Sequence, residues 1–137
     1  MIIGVGTDIV DIKRFEKLIE RQHKRFFDRV FTPDEQAHCQ KRGNPAAAFA
    51  KRFAAKEALV KALGTGIGEH AKWQDIAIRN DQKGKPIIEL KGDAAATLKL
   101  LCEQRTRSND GASLGQIDLS LSDDYPMALA FVVISCF

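Results

Sequence analysis

A chain of 137 residues with 45% hydrophobic content buries one good core, so a single domain over 1–137 is expected, and a net charge of +3 acts on partners only where it clusters. No apolar run approaches the roughly 18 residues needed to span a bilayer, and Met1-Ile2-Ile3-Gly4-Val5 lacks a preceding basic region, which argues against membrane insertion and secretion. Cys39, Cys102 and Cys136 stand far apart, odd in number and without metal-ligand spacing, which predicts free thiols in a reducing, cytoplasmic compartment.

Residues Ile2 to Val10 read as a strand with Ile3, Val5, Thr7 and Ile9 on one face and Gly4, Gly6 and Asp8 on the other, so Asp8 faces a side cleared of bulk. The two glycines mark a bulge, a close backbone approach or a ligand; neither they nor Gly64-Thr65-Gly66-Ile67-Gly68 have the spacing of a dinucleotide or phosphate-loop fingerprint. From Asp11 as N-cap a helix runs to about Gln22, with Phe15, Leu18 and Ile19 inward and Arg14, Lys17, Arg21 and Lys24 along another face. Lys13 to Arg29 holds seven Lys and Arg against three acids, either a solvated face or a docking surface for an acidic partner. No nucleic-acid reading motif is present, so nucleic acid is not expected. Thr32-Pro33-Asp34-Glu35 is a capping box that starts a short helix to about Lys41, in which His38 and Cys39 are structural.

The stretch from Phe49 to Gly66, with Pro45 near its start, reads as one long helix stopped at Gly64. Phe49, Phe53 and Val60 form an apolar stripe, and Ala47, Ala54, Ala58 and Ala62 form a small-residue face that admits another backbone. Between them Glu57 and Lys61, four residues apart, are either an ordinary helical ion pair or a metal ligand and a phosphate clamp. Trp73 to Arg79 and Pro86 to Leu90 alternate as strands of a hairpin around Asn80–Lys85, and Asp93 caps a helix from Ala94 to about Arg105. Thr106 to Gly115 is polar and expected as a mobile loop. Ile117, Leu119 and Leu121 alternate with Asp118, Ser120 and Ser122 as a half-buried strand. After the Asp123–Pro126 turn, the apolar run Met127 to Ile134 suits a central strand covered on both sides.

Four blocks in this order, Gly6-Thr7-Asp8-Ile9-Val10-Asp11-Ile12 with Arg14, Arg52-Phe53-Ala54-Ala55-Lys56-Glu57-Ala58 with Lys61, Gly64-Thr65-Gly66-Ile67-Gly68 and Gly84-Lys85-Pro86, resemble the holo-acyl-carrier-protein synthases, the short class of phosphopantetheinyl transferases. The resemblance spans nearly the whole chain and implies an α+β fold, a small antiparallel sheet around one long central helix. It implies transfer of the 4'-phosphopantetheine arm of coenzyme A to a serine of an acidic apo acyl carrier protein in fatty acid biosynthesis, leaving 3',5'-ADP. It also implies magnesium and a homotrimer with sites between subunits. Asp8 and Glu57 are the expected metal ligands, and Glu57 the proton acceptor, directly or through a water. Arg52, Lys56, Lys61, Gly64, Thr65, Gly66, Gly84, Lys85 and Pro86 are expected around coenzyme A, and Arg14, Lys17, Arg21 and Lys24 at the carrier. Where the family usually has histidine this sequence has Asp118, which is expected to act as a third acidic residue at the metal or as an alternative base. Two other readings stay open: the same transfer to a different carrier domain, and a non-catalytic module binding coenzyme A or an acidic protein.

Overall fold

The computed structural model of the chain describes residues 1–107 and 113–137. In chain order β1 (Ile2–Asp11), α1 (Ile12–Glu20), α2 (Lys24–Val30) and α3 (Pro33–Gln40) lead to α4 (Pro45–Leu63). A single 3-10 turn (Trp73–Asp75), β2 (Ile76–Asn80), β3 (Pro86–Leu90), α5 (Gly92–Thr106), β4 (Gly115–Asp124) and β5 (Met127–Cys136) complete the chain. The class is α+β: an antiparallel sheet in the order β1-β5-β4 packs on α4, and β2 and β3 form a separate hairpin.

Local chemistry sets the limits of α4. The Asn44 side chain accepts from the Ala47 amide at 3.2 Å, Pro45 occupies the first turn, and Gly64 ends the helix in the left-handed region at φ 78°. Every α4 residue except Pro45, Lys51, Glu57 and Lys61 is buried, so polar side chains leave this helix through narrow windows. The alanine face admits β1 closely: a Cβ added to Gly6 would stand 1.9 Å from the Ala58 carbonyl oxygen, and one added to Gly4 would stand 2.1 Å from that of Ala62. The two glycines are therefore a backbone-approach device.

The structure departs from the sequence expectations at several elements. The first helix ends at Glu20 because Gln22 adopts φ 49° and His23 caps a separate α2, its side chain accepting from the Phe26 amide at 3.2 Å. The segment at Trp73 opens as a 3-10 turn, and α5 begins at Gly92 with Asp93 in its first turn. β5 is the central strand but is covered on one side only. Ala128, Ala130, Val132 and Ile134 face α4, whereas Leu129 and Phe131 lie outside with Val5 and Ile9 of β1. Residues 108–112 of the polar loop expected over Thr106–Gly115 lie outside the described residues.

The expectation of three free thiols holds for Cys39 alone. Cys102 and Cys136 form a disulfide with Cα atoms 5.5 Å apart, because the fold lays the last turns of α5 against the end of β5. Their sequence separation of 34 residues concealed this. Burial raises the Cys39 thiol to about 11, the environment of an inert core cysteine.

Candidate active site

The close contact of β1 with α4 carries Asp8, the next residue on the glycine face, to the Glu57–Lys61 window. The Lys61 ammonium donates to the Asp8 carboxylate at 3.1 Å and to the Thr7 carbonyl at 3.0 Å, with the Asp8 side chain mostly buried. Burial, then the charge of Asp8, raises the Glu57 carboxyl above its ordinary value, while Lys61 and Arg14 pull it back. Two carboxylates, an ammonium and a guanidinium thus share one half-buried spot at the end of a rigid helix. The Arg14 guanidinium lies 5.0 Å from the centre of the Phe53 ring and 5.9 Å from those of Phe15 and Phe26, an aromatic floor that fixes its position.

Among the described residues no group of three or more His, Cys, Asp and Glu side chains is arranged to hold a metal. The donors are two hard carboxylates whose like charges repel, which fits magnesium, an ion that takes one or two carboxylates and fills its shell with substrate oxygens and water. Asp118 does not join them within one chain. It pairs with Val133 on the outer face of the sheet, opposite to the face that carries Asp8, and accepts from Gln116 at 3.0 Å. Strand alternation predicted its company with Ser120 and Ser122, but not which side of the sheet meets α4.

The residues expected around coenzyme A fall into separate groups. Arg52 is five positions before Glu57, which at about 100° per residue turns it about 140° away around α4. There it is 5% exposed, lines an open hollow of about 550 Å³, and donates to the Asn80 side chain at 2.9 Å. The Asn80 amide in turn donates to the Gly84 carbonyl at 2.9 Å, tying Arg52 to the Gly84-Lys85-Pro86 turn. The Nε of Arg52 is buried and finds no hydrogen-bond partner among the described residues.

Lys56 is not on this surface. It is fully buried, and its ammonium donates to Glu35 at 2.7 Å and to the carbonyls of Val30 at 2.7 Å and Trp73 at 3.2 Å. The amides of Gly64 and Thr65 are also committed, both donating to the Val60 carbonyl at the end of α4. A helix C-terminus presents carbonyls, so these two amides are not the expected phosphate cradle.

The basic stripe divides. Arg14 and Lys17 lie on α1, and Arg21 is its C-cap; with Leu18 they border one shallow hollow. Lys24 opens α2 and is paired with Asp28, so its charge is already answered. Sequence reading missed Glu35 and Asn80 as structural ties, because the first was absorbed into a capping box and the second into a turn. The charge of Glu35 beyond its capping role was the one available signal.

The 4'-phosphopantetheinyl transferase superfamily model matches residues 4–130. The holo-[acyl-carrier-protein] synthase of Brucella ovis is 48% identical over 134 residues, covering 98% of this chain and 95% of that protein. The crystal structure of holo-[acyl-carrier-protein] synthase from Neisseria meningitidis superposes with a TM-score of 0.80 at 38% identity, covering 98% of this chain and 99% of that one. The Helicobacter pylori synthase in complex with coenzyme A gives 0.76 at 31% identity over 96% and 99% of the two chains. The chain belongs to the 4'-phosphopantetheinyl transferase superfamily.

Proposed function

We propose that the chain is a holo-acyl-carrier-protein synthase: it transfers the 4'-phosphopantetheine arm of coenzyme A to a serine of apo acyl carrier protein and releases 3',5'-ADP. The observation that carries this reading is the half-buried Asp8, Glu57 and Lys61 cluster at the end of α4, in a chain whose relatives bear that name. The nucleophile is the carrier's serine, so this chain needs a proton acceptor rather than an activated hydroxyl of its own. Glu57 takes the serine proton as the new P–O bond forms and the bond to the departing 3',5'-ADP breaks; its raised carboxyl pKa suits a base more than that of an ordinary surface glutamate does.

Asp8 and Glu57 would hold magnesium, which when bound neutralises charge on the phosphate under attack and on the leaving group. Lys61 exchanges part of its contact with Asp8 for a coenzyme phosphate oxygen, and the unpartnered Nε of Arg52 is a donor for another. The Gly84-Lys85-Pro86 turn borders the adenine end. Arg14, Lys17 and Arg21 receive the acidic carrier, with Lys24 at the margin. We assign the enzyme to the cytoplasm and to fatty acid biosynthesis. Buried, Cys102 and Cys136 pack equally as small apolar thiols where reductants hold them open.

The active assembly is a homotrimer with sites between subunits. The two halves of the site lie on different faces of α4, and the outer sheet face is apolar and open in the single chain. Asp118, on that outer face, then belongs to a site completed by a neighbouring copy. Mass spectrometry of apo acyl carrier protein incubated with the chain, coenzyme A and magnesium tests the reaction. A gain of one phosphopantetheine is expected, and an unchanged mass rejects it.

A further inference from the structure

The buried ion pair Glu35–Lys56 has a geometry that filling the core does not require. Glu35 is 2% exposed and uses both carboxylate oxygens. Oε1 accepts from Lys56 at 2.7 Å and from the Thr32 amide at 2.8 Å, while Oε2 accepts from the Ile78 amide of β2 at 2.9 Å. With the Lys56 bonds to Val30 and Trp73, one carboxylate and one ammonium join the end of α2, the start of α3, α4, the 3-10 turn and β2.

This network lies beside the tie from Arg52 to Asn80. Arg52 and Lys56 are one helical turn apart on α4, about 6 Å along its axis, and Asn80 and Ile78 are two residues apart on β2, about 6.6 Å. The spacings match in antiparallel sense: Arg52 holds Asn80 directly, and Lys56 holds Ile78 through Glu35. The two contacts fix both the position and the slide of the hairpin along α4, adding direction to the non-directional packing of Ile76 and Ile78 in the core. The turn so positioned is Gly84-Lys85-Pro86, continuous with Arg52 through the Asn80 bond to Gly84.

We propose that Glu35 is a positioning residue for coenzyme A: through Lys56 and the Ile78 amide it sets the register of the β2–β3 hairpin on α4, and so the shape of the coenzyme half of the site. The inference rests on the transferase reading above and adds a residue that touches neither substrate. It separates the two substrates, because the carrier surface on α1 and the Asp8, Glu57 and Lys61 cluster do not depend on the hairpin.

The test uses the full chain, with 3',5'-ADP binding measured by calorimetry and transfer kinetics measured with coenzyme A and apo carrier varied in turn. Glu35→Gln is expected to raise the coenzyme KM and the 3',5'-ADP dissociation constant about tenfold, since a buried charged acceptor is lost, with the carrier KM held within about twofold. Hydrogen exchange at the paired β2 and β3 amides is expected to quicken. The double variant Glu35→Leu with Lys56→Met removes the buried charges together and keeps the core filled, so it regains thermal stability. It still leaves the Ile78 amide without its acceptor, so coenzyme affinity stays low. If Glu35→Gln does not fold, the double variant carries the test alone. A normal coenzyme KM in either folded variant, or both substrates' KM values rising together, overturns the proposal. A wild-type chain that neither binds 3',5'-ADP nor loads the carrier overturns the transferase reading and this inference with it; one that does both while the variants keep normal coenzyme KM overturns this inference alone.

Discussion

Glu57 carries opposite demands from folding and from chemistry. Burial and the neighbouring Asp8 charge raise its carboxyl pKa, so the folded chain binds this proton more readily than the unfolded chain does. Its contribution to stability is full below the ordinary value of 4.5 and is lost as pH rises through the raised folded value. Above that folded value the ionised carboxylate is therefore a burden on the fold. Glu57→Gln is expected to keep or raise Tm in metal-free buffer while transfer falls about 10²–10⁴-fold for want of a base. Asp8→Asn is expected to abolish transfer with the fold retained and to lower the pH at which Glu57 ionises, read by NMR titration. A drop in Tm for Glu57→Gln, or full activity of either variant or of the wild-type chain in excess chelator, contradicts this account. Asp118 poses a different question, because its carboxylate sits on the far side of the sheet from Asp8. If a neighbouring copy completes the site there, Asp118→Asn weakens the magnesium dependence or lowers turnover, and Asp118→His shifts the pH profile. Unchanged rates, pH profiles and magnesium titrations in both place Asp118 away from the chemistry.

At the level of elements, the packing of β1 on α4 is what assembles the proposed catalytic cluster, and it has little tolerance. Gly6→Ala puts a methyl within 1.9 Å of a main-chain carbonyl that cannot rotate away. A loss of about 1–3 kcal/mol or more is expected in urea unfolding, together with reduced activity from the displaced Asp8. A midpoint equal to wild type would show that the strand stands further off. On α1 the exposed charges act at a distance: Arg21→Glu is expected to raise the carrier KM well above any change in the coenzyme KM. Added salt should mimic it, because screening over about 10 Å at 0.1 M weakens such pairs. Salt-independent carrier binding argues against docking there. These elements were legible because their signals are local. Pro45 and Gly64 mark the ends of α4, and alternation and four-residue spacing put Asp8, Glu57 and Lys61 on readable faces. What stayed hidden depends on partners distant in sequence: Lys56 read as a surface cation because Glu35 is 21 positions away, and Cys102 read as free because Cys136 lies on another element. The break after Glu20 was missed because Gln22 reaches a left-handed conformation without glycine.

At the scale of the whole molecule, one chain looks unfinished in two independent ways. Its outer sheet face leaves Val5 54%, Ile9 59%, Leu129 39% and Phe131 42% exposed on adjoining strands, where polar residues are expected of a solvated sheet face. Its proposed site residues lie on faces of α4 about 140° apart, with the buried Phe49, Phe53 and Val60 between them. The homotrimer proposed above answers both if each copy's Arg52 half meets a neighbour's Asp8 and Glu57 half. Light scattering is expected to give a trimer, and Phe131→Asp, which puts a charge into the apolar face, is expected to give monomers that have lost transfer with every site residue intact. Mixing gives the sharper measurement. Glu57→Gln and Arg52→Gln chains, each inactive alone, are unfolded together and refolded at equal amounts. A site built from two copies then has both functional halves in about one case in four, so about a quarter of wild-type activity returns. A site held within one chain returns none, and a monomer with full activity at micromolar concentration would show that a single copy suffices.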